Sequence, residues 1–315
     1  MKTYLALILA AVLLSGCIQI PGQTSGTGTP ATHPAVSGNA TQGSATQGAA
    51  GEGTGQGTQG SAGTSGTQGT SGTQGTGQGA QGSSGSGGSV APAGPASMEI
   101  SFISLGWNIS GTLYKASTNA PTKAVILVPM RGYTRDSYPV GFITDILAKM
   151  DSTVVYAIDP RGTGKSTNLG NYQSFTTDDY RASADDIVSA RGALRNVYPT
   201  LVTFSVVGAS IGSSAAILAA DKDNRLSKVV MISPGRSYEG VSIDRAVSDY
   251  MQPILAVASS GDNDAAATAQ WVYSTESSPQ KQLKIYYGTS AHGTDIFGKE
   301  GSDTPLSSVI TDFLK

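Results

Sequence analysis

The sequence is poor in the residue types that build disulfide-stabilised, metal-binding or nucleic-acid-binding proteins. Its 315 residues include one cysteine and two histidines, and its 20 Lys and Arg residues are nearly balanced by 22 Asp and Glu residues. One cysteine excludes an internal disulfide framework, and no group of His, Cys and carboxylates has metal-ligand spacing. No basic stripe stands out, so nucleic acid is not an expected partner. We expect no metal and no cofactor, and a fold stabilised by its packed core.

The N-terminus lacks an apolar run long enough to cross a membrane. The uncharged run at 4–14, behind Lys2, is shorter than the roughly 20 residues that span a bilayer and has the length of a signal-peptide core. The tetrapeptide LSGC that ends at Cys17 resembles the lipobox of secreted lipoproteins. That resemblance implies a signal peptide over 1–16, a diacylglycerol on Cys17, and a protein exported and held by lipid on the outer face of the cell membrane. An ordinary signal peptide with an incidental cysteine is the alternative.

The next segment lacks aromatic residues and has almost no charge. Residues 18–97 carry one charged residue, Glu52, among near-repeats rich in Gly, Thr, Ser, Gln and Ala. Such a segment has too little apolar surface to offset the entropy of ordering. We interpret 17–97 as the lipidated cysteine followed by a disordered linker, with an adhesive stalk as the alternative. The remaining residues, 98–315, have ordinary globular composition and suit one domain.

Within this domain, short apolar runs alternate with helix-like stretches. A hairpin is predicted over 99–104 and 107–115. The strands that follow are predicted at 124–129, 153–159, 202–208, 228–233, 253–258 and 283–287. The helices between and after them are predicted at 139–150, 178–196, 211–220, 243–250, 264–277 and 305–313. Runs that are apolar throughout indicate strands buried on both faces. The order predicts an α/β fold with a mainly parallel central sheet and helices on both faces.

The pentapeptide GASIG at 208–212 stands between a predicted buried strand and a helix of small residues. This context is what distinguishes a nucleophile elbow from a chance G-x-S-x-G string. Ser210 would stand on a sharp turn for which the flanking glycines leave room. The N-terminal amides of the following helix would stabilise negative charge developing at the site. We therefore predict that Ser210 is a catalytic nucleophile rather than a solvated turn residue.

A serine hydroxyl needs a base, and the predicted domain holds one histidine. His292 follows the last predicted strand, whereas His33 lies in the predicted linker. A base in turn needs a carboxylate to fix its tautomer. Asp262 and Asp264 both follow the strand at 253–258, and spacing alone leaves the choice between them open. The chain order is nucleophile, then acid, then base, which is distinct from the orders found in other serine-hydrolase folds.

The segment from about 124 to 315 resembles an α/β-hydrolase of the dienelactone-hydrolase-like or esterase type. The motifs that carry the resemblance are DPRGTGKS at 159–166, GASIG at 208–212, GDND at 261–264 and YGTSAHG at 287–293. The resemblance implies the α/β-hydrolase fold. It also implies a triad of Ser210, Asp264 and His292, because the family's acid is the final Asp of its G-x-x-D motif.

One loop departs from the family pattern. The family has His-Gly after the strand that corresponds to 124–128, and this chain has Pro129-Met130 followed by Arg131. The resemblance implies an oxyanion hole made by the backbone N–H groups of Ile211 and Arg131. The Arg131 side chain could bind a substrate carboxylate or be an exposed loop arginine, and the sequence does not decide between the two.

The chain leaves little room for a cap over the site, since only 18 residues separate Pro234 from Pro253. An open site with this triad suits a small-molecule or surface-presented ester, so we predict a carboxylic-ester hydrolase with a minimal cap. Peptidase, thioesterase and acyltransferase chemistry would use the same triad. A surface-binding module that has lost turnover is the alternative outside the enzymes.

Overall fold

The computed structural model describes residues 94–116 and 120–315. The predicted signal peptide, Cys17 and most of the predicted linker lie outside these residues. The first strand begins at Ala96, slightly before the predicted domain boundary at Met98. None of the helices in the described part of the chain is both long enough and apolar enough to span a bilayer.

Eight strands form one sheet, and two short ones form a separate ribbon. In chain order they are β1 (Ala96–Ser104), β2 (Trp107–Lys115), β3 (Lys123–Val128), β4 (Thr153–Ile158), β5 (Thr203–Ala209), β6 (Leu226–Ile232), β7 (Ser237–Tyr238), β8 (Val241–Ser242), β9 (Ile254–Ser259) and β10 (Lys281–Tyr286). The sheet order is β1-β2-β4-β3-β5-β6-β9-β10, and β7 pairs with β8 in the ribbon. The pairs β1–β2 and β2–β4 are antiparallel, and the other pairs of the sheet are parallel. The predicted mainly parallel sheet is confirmed.

The predicted first hairpin is also present. β1 and β2 pair antiparallel around Leu105 and Gly106, whose φ angles are 47° and 83°. Two positive φ values are what a two-residue type I′ turn requires, and its twist matches that of the flanking strands. The hairpin therefore forms the antiparallel edge of the sheet.

The described residues form six α-helices. They are α1 (Val140–Lys149), α2 (Thr177–Val197), α3 (Ile211–Lys222), α4 (Asp244–Asp249), α5 (Asn263–Thr275) and α6 (Leu306–Leu314). Each lies within a few residues of a predicted helix. α2 begins with a capping box in which Thr176 and Asp179 satisfy each other's backbone N–H groups.

The apolar side chains of the parallel strands pack on both faces of the sheet. In β3, Val125 and Leu127 belong to a cluster with residues of α1 and α6, such as Phe142. Their neighbour Ile126 packs on the opposite face in a cluster with residues of α2, α3 and α5, such as Ile187. Successive side chains of a strand point to opposite faces. Burial on both sides therefore explains the continuous apolar runs in the sequence.

The segment between β6 and β9 forms a small cap. It contains the predicted helix, α4, and the β7–β8 ribbon, which was not predicted. Glu239 and Gly240 turn the ribbon with φ angles of 48° and 78°, again as a two-residue turn requires. Strands of two residues show no readable alternation of polarity, so the sequence pattern carried no sign of the ribbon.

Candidate active site

Ser210 is the single residue between the end of β5 and the start of α3. Its backbone adopts φ 53° and ψ −120°, a conformation that is costly for a residue with a Cβ. The surroundings hold it there: the Ser210 N–H donates to the Ile232 carbonyl (2.8 Å), and its own carbonyl accepts from the Ser213 N–H (2.9 Å). Such strain is typical of functional sites, and the geometry is the strand-to-helix elbow predicted for this pentapeptide.

The two glycines of the pentapeptide are required by close backbone contacts. A Cβ on Gly208 would lie 2.2 Å from the Gly212 carbonyl oxygen, and a Cβ on Gly212 would lie 2.4 Å from the Val128 carbonyl oxygen. The elbow can therefore fold sharply, and the start of α3 can lie against the end of β3. The loop that follows β3 is thereby held next to Ser210.

His292 lies within hydrogen-bond distance of Ser210. Its Nε2 is 2.8 Å from Ser210 Oγ. The histidine loop is anchored from a neighbouring strand, because the Gly293 N–H donates to Oγ of Ser233, a buried residue directly after β6 (2.9 Å). Ser233 lies in no motif of the sequence, and its unusual feature, a φ of 48°, is a property of the backbone.

The carboxylate that contacts His292 is Asp262, not the predicted Asp264. Asp262 Oδ2 lies 2.6 Å from His292 Nδ1. Its carboxylate is 17% exposed, against 46% for the imidazole. A distance this short is typical of a charge-assisted hydrogen bond.

Local geometry explains why the predicted acid was wrong. The Asp262 N–H donates to the Ser259 carbonyl, and the Gly261 N–H donates to the Thr289 carbonyl, so this turn lies against the histidine loop. Two residues later the chain has entered α5, which places Asp264 in the first helical turn, exposed to solvent. The final position of the G-x-x-D motif therefore does not contact the histidine.

Of the predicted oxyanion donors, Ile211 directly follows Ser210, and Arg131 lies in the loop after β3, whose first residues approach Gly212. In the described part of the chain, the backbone N–H groups of Ile211 and Arg131 donate to no protein acceptor, as donors available to a ligand would. The buried Tyr138 hydroxyl supports this loop from below, lying 3.0 Å from the Val128 carbonyl and 3.1 Å from the Val207 carbonyl. Burial raises the pKa of Tyr138 far above its ordinary value, so the hydroxyl stays protonated as a donor. That Ile211 and Arg131 bind an oxyanion stays a prediction.

The Arg131 side chain is exposed in the loop after β3, as the second of its two predicted roles states. It donates from Nη1 to the Tyr238 hydroxyl (2.9 Å) and pairs with Glu239 (3.4 Å), both in the β7–β8 ribbon. Its guanidinium also lies 5.6 to 5.8 Å from the ring centroids of Tyr172, Tyr180 and Tyr238. The Arg131 side chain therefore contacts the ribbon and links the loop after β3 to the cap.

A pocket of about 270 Å³ opens above Ser210 and His292. Asp262, Asp264 and Tyr238 contribute to its walls. This volume is near the lower end of the range of roughly 300–1,000 Å³ for small-molecule sites. Among the described residues, no three His, Cys, Asp or Glu side chains converge as a metal site would require.

The motif at 159–166 lies outside the pocket and makes buried polar contacts with neighbouring segments. Asp159, which is buried, accepts from the N–H groups of Arg135 (3.0 Å) and Lys165 (2.9 Å). Arg161 forms a buried two-point ion pair with Asp186 of α2, at 2.8 and 2.6 Å. These contacts tie the loop after β4 to its neighbours, and none of these residues lines the pocket above Ser210.

Comparison with solved structures identifies the architecture. A dienelactone hydrolase from Anabaena variabilis is similar over 70% of this chain and 98% of its own, with 18% identity and a TM-score of 0.56. An esterase from Pyrococcus furiosus matches 70% of this chain and 92% of its own, with 18% identity and a TM-score of 0.56. The chain has the α/β-hydrolase fold.

A third solved structure is similar to the same extent. A cold-adapted esterase from an Arctic intertidal metagenomic library matches 73% of this chain and 97% of its own, with 14% identity and a TM-score of 0.56. At such identities the likeness extends to the fold alone. No protein-family model matches the sequence, and no curated protein matches it either.

Proposed function

We propose that this α/β-hydrolase-fold protein is a serine hydrolase that cleaves small or surface-presented carboxylic esters. The observation that carries the proposal is the continuous hydrogen-bonded row Ser210–His292–Asp262, with contacts of 2.8 and 2.6 Å, on a strained elbow. Nucleophile, base and orienting carboxylate in such contact are the signature of an activated serine.

In the proposed reaction, Ser210 Oγ attacks the ester carbonyl carbon while His292 Nε2 accepts the hydroxyl proton. Asp262 accepts from Nδ1–H, which fixes the tautomer and stabilises the imidazolium. The carbonyl oxygen becomes an oxyanion, bound by the N–H groups of Ile211 and Arg131. The C–O bond to the alcohol then breaks as His292 returns its proton to the leaving oxygen, which leaves an acyl group on Ser210.

Water completes the cycle by the same steps in the same order. His292 takes a proton from water as the water oxygen attacks the acyl carbon, and the oxyanion forms again between the two backbone donors. When this intermediate collapses, the proton passes to Ser210 Oγ and the carboxylic acid leaves. The enzyme therefore needs no cofactor for the proposed reaction.

The test is hydrolysis of p-nitrophenyl acetate and butyrate by the full-length chain, measured beside Ser210→Ala and Ser308→Ala. Ser308 lies on α6, away from the pocket, and controls for the loss of a hydroxyl. We expect turnover by the wild type and Ser308→Ala, and none above background by Ser210→Ala. If the protein hydrolyses a thioester or a peptide but neither ester, it is a thioesterase or peptidase and not an ester hydrolase. If it hydrolyses no acyl compound, the result favours the surface-binding module without turnover.

We further propose that Cys17 carries lipid and holds the exported protein on the outer face of the membrane. The support is the LSGC sequence that ends at Cys17, behind an apolar run. Radiolabelled fatty acid supplied to expressing cells should be incorporated into the wild-type chain and not into Cys17→Ala. Equal incorporation by both would contradict the lipid assignment.

A further inference from the structure

The charged walls of the pocket above Ser210 are acidic. Asp262 and Asp264 line it, and no Lys or Arg does. Asp262 is engaged with His292. Asp264 is exposed and forms no ion pair with any residue of the described chain. The pocket therefore presents one uncommitted negative charge to a ligand bound next to Ser210.

The cations of the neighbouring segments are neutralised by acids. Arg131 pairs with Glu239 at 3.4 Å, and the two side chains are 38% and 45% exposed. Arg236, which precedes β7, forms a two-point ion pair with Asp244 at 2.8 and 3.2 Å. A carboxylate on a substrate would have to compete with Glu239 or Asp244 for these guanidinium groups. Each arginine's charge is therefore offset by a neighbouring acid, which weakens its attraction for an anionic substrate.

Tyr238 also lines the pocket, but its ring is already paired with a cation. The ring packs edge-on against Tyr180 with centroids 5.7 Å apart. The Arg131 guanidinium lies 5.8 Å from the Tyr238 ring centroid and donates to its hydroxyl over 2.9 Å. The Asp264 carboxylate is therefore the group in this pocket that favours a positively charged ligand.

From these observations, and resting on the proposed ester hydrolysis, we infer that the site selects its substrates by charge. It favours neutral and cationic esters and disfavours anionic ones, with Asp264 and Glu239 as the residues that determine the preference. Asp264 attracts a cationic group directly, and Glu239 acts by keeping the Arg131 charge from substrate.

The size of the preference follows from Coulomb's law. A unit charge about 7 Å from a carboxylate changes binding between about 3-fold in water and about 50-fold at the effective dielectric of a protein surface. Because Asp264 is exposed, we expect kcat/KM for a cationic ester to exceed that for an anionic one by about tenfold at low salt. The difference should shrink towards equality in 1 M salt, where the Debye length is about 3 Å.

Three p-nitrophenyl esters of matched length test the inference on the full-length chain: the pentanoate (neutral), the adipate monoester (anionic) and the 5-trimethylammoniopentanoate (cationic). The expected order of kcat/KM is cationic, then neutral, then anionic. Equal values, or a preference for the adipate, would overturn the inference while leaving the ester hydrolase intact. Hydrolysis of none of the three would overturn the proposed function, and this inference would fall with it.

Charge-removing variants assign the preference to residues. Asp264→Asn should lower the cationic-to-anionic ratio several-fold, and Glu239→Gln should raise kcat/KM for the adipate monoester by releasing Arg131. Asp221→Asn is the matched control, because it removes one exposed acid about 15 Å along α3 from Ile211. A ratio that Asp221→Asn changes as much as Asp264→Asn would contradict the assignment to Asp264. An unaltered adipate rate in Glu239→Gln would contradict the role given to Glu239.

Discussion

Replacing Asp262 by Asn removes the carboxylate that contacts His292 while keeping the side-chain shape. In the wild type, Asp262 Oδ2 accepts from His292 Nδ1 over 2.6 Å. An Asn amide at that place can donate to Nδ1 as well as accept from it, so the imidazole can adopt the tautomer that carries its proton on Nε2. That tautomer cannot accept the Ser210 proton over the 2.8 Å contact, and the imidazolium loses its stabilising charge.

The expected loss in kcat is about 10⁴-fold, the scale found when a triad carboxylate becomes an amide. This corresponds to about 5.5 kcal/mol of transition-state stabilisation. The same change at Asp264 removes an exposed charge that does not contact the histidine, so kcat on a neutral ester should fall by no more than about tenfold.

The assay is steady-state hydrolysis of p-nitrophenyl butyrate at pH 8 by wild type, Asp262→Asn and Asp264→Asn, with folding of each variant checked by circular dichroism. A large loss in Asp264→Asn beside a small loss in Asp262→Asn would refute the reasoning and restore the acid predicted from the sequence. Equal large losses in two folded variants would refute the claim that one carboxylate orients the base.

Two further predictions concern the frame of the site. Gly212→Ala would place a Cβ 2.4 Å from the Val128 carbonyl oxygen. We therefore expect the free energy of unfolding, measured in urea, to fall by about 1–3 kcal/mol and kcat to fall as well. Wild-type values of both quantities would show that the close contact between α3 and the end of β3 is not required. Thr176→Ala removes the N-cap of α2 and should cost about 1 kcal/mol at pH 7. Hydrogen bonds from Thr176 lower the pKa of Asp179 in the folded state. The stability from this capping box is therefore fully present above the ordinary Asp pKa and is lost as the pH falls from there through the lowered pKa of the folded state. A difference in unfolding free energy between wild type and Thr176→Ala that stays constant down to pH 3 would contradict the capping contribution of Asp179.

The order of strands and helices was predictable because a strand that is buried on both faces has apolar residues at nearly every position. Continuous apolar runs such as 124–128 can be satisfied only by a sheet covered on both sides, and the two clusters on either side of β3 are that arrangement. The proximity of Ser210 and His292 was predictable for a related reason. Both follow buried strands, and the carboxyl ends of parallel strands gather at one edge of the sheet.

The choice between Asp262 and Asp264 depends on where a turn ends and a helix begins, and the sequence leaves that boundary uncertain by one or two residues. One hydrogen bond, from the Gly261 N–H to the Thr289 carbonyl, brings the turn against the histidine loop. Such a contact between distant residues leaves no mark on local composition. Spacing alone therefore could not separate the two acids, and the resemblance to the G-x-x-D motif indicated Asp264, which does not contact His292.

The environment of Arg131 was hidden for the same reason. Its partners, Tyr238 and Glu239, lie more than a hundred residues away in the chain, in a ribbon whose strands have two residues each. Both partners come from a cap that the spacing between Pro234 and Pro253 correctly predicted to be small. The spacing set the size of the cap and could not specify the contacts that it makes.

The most direct test of the central claim is to label the full-length chain with a fluorophosphonate and to locate the adduct by mass spectrometry of its peptides. An activated serine forms a covalent adduct with this reagent, whereas a solvated serine does not. We predict one adduct, on Ser210, in the wild type and none in Ser210→Ala. An adduct on another serine, or labelling that persists in Ser210→Ala, would contradict the claim that Ser210 is the nucleophile.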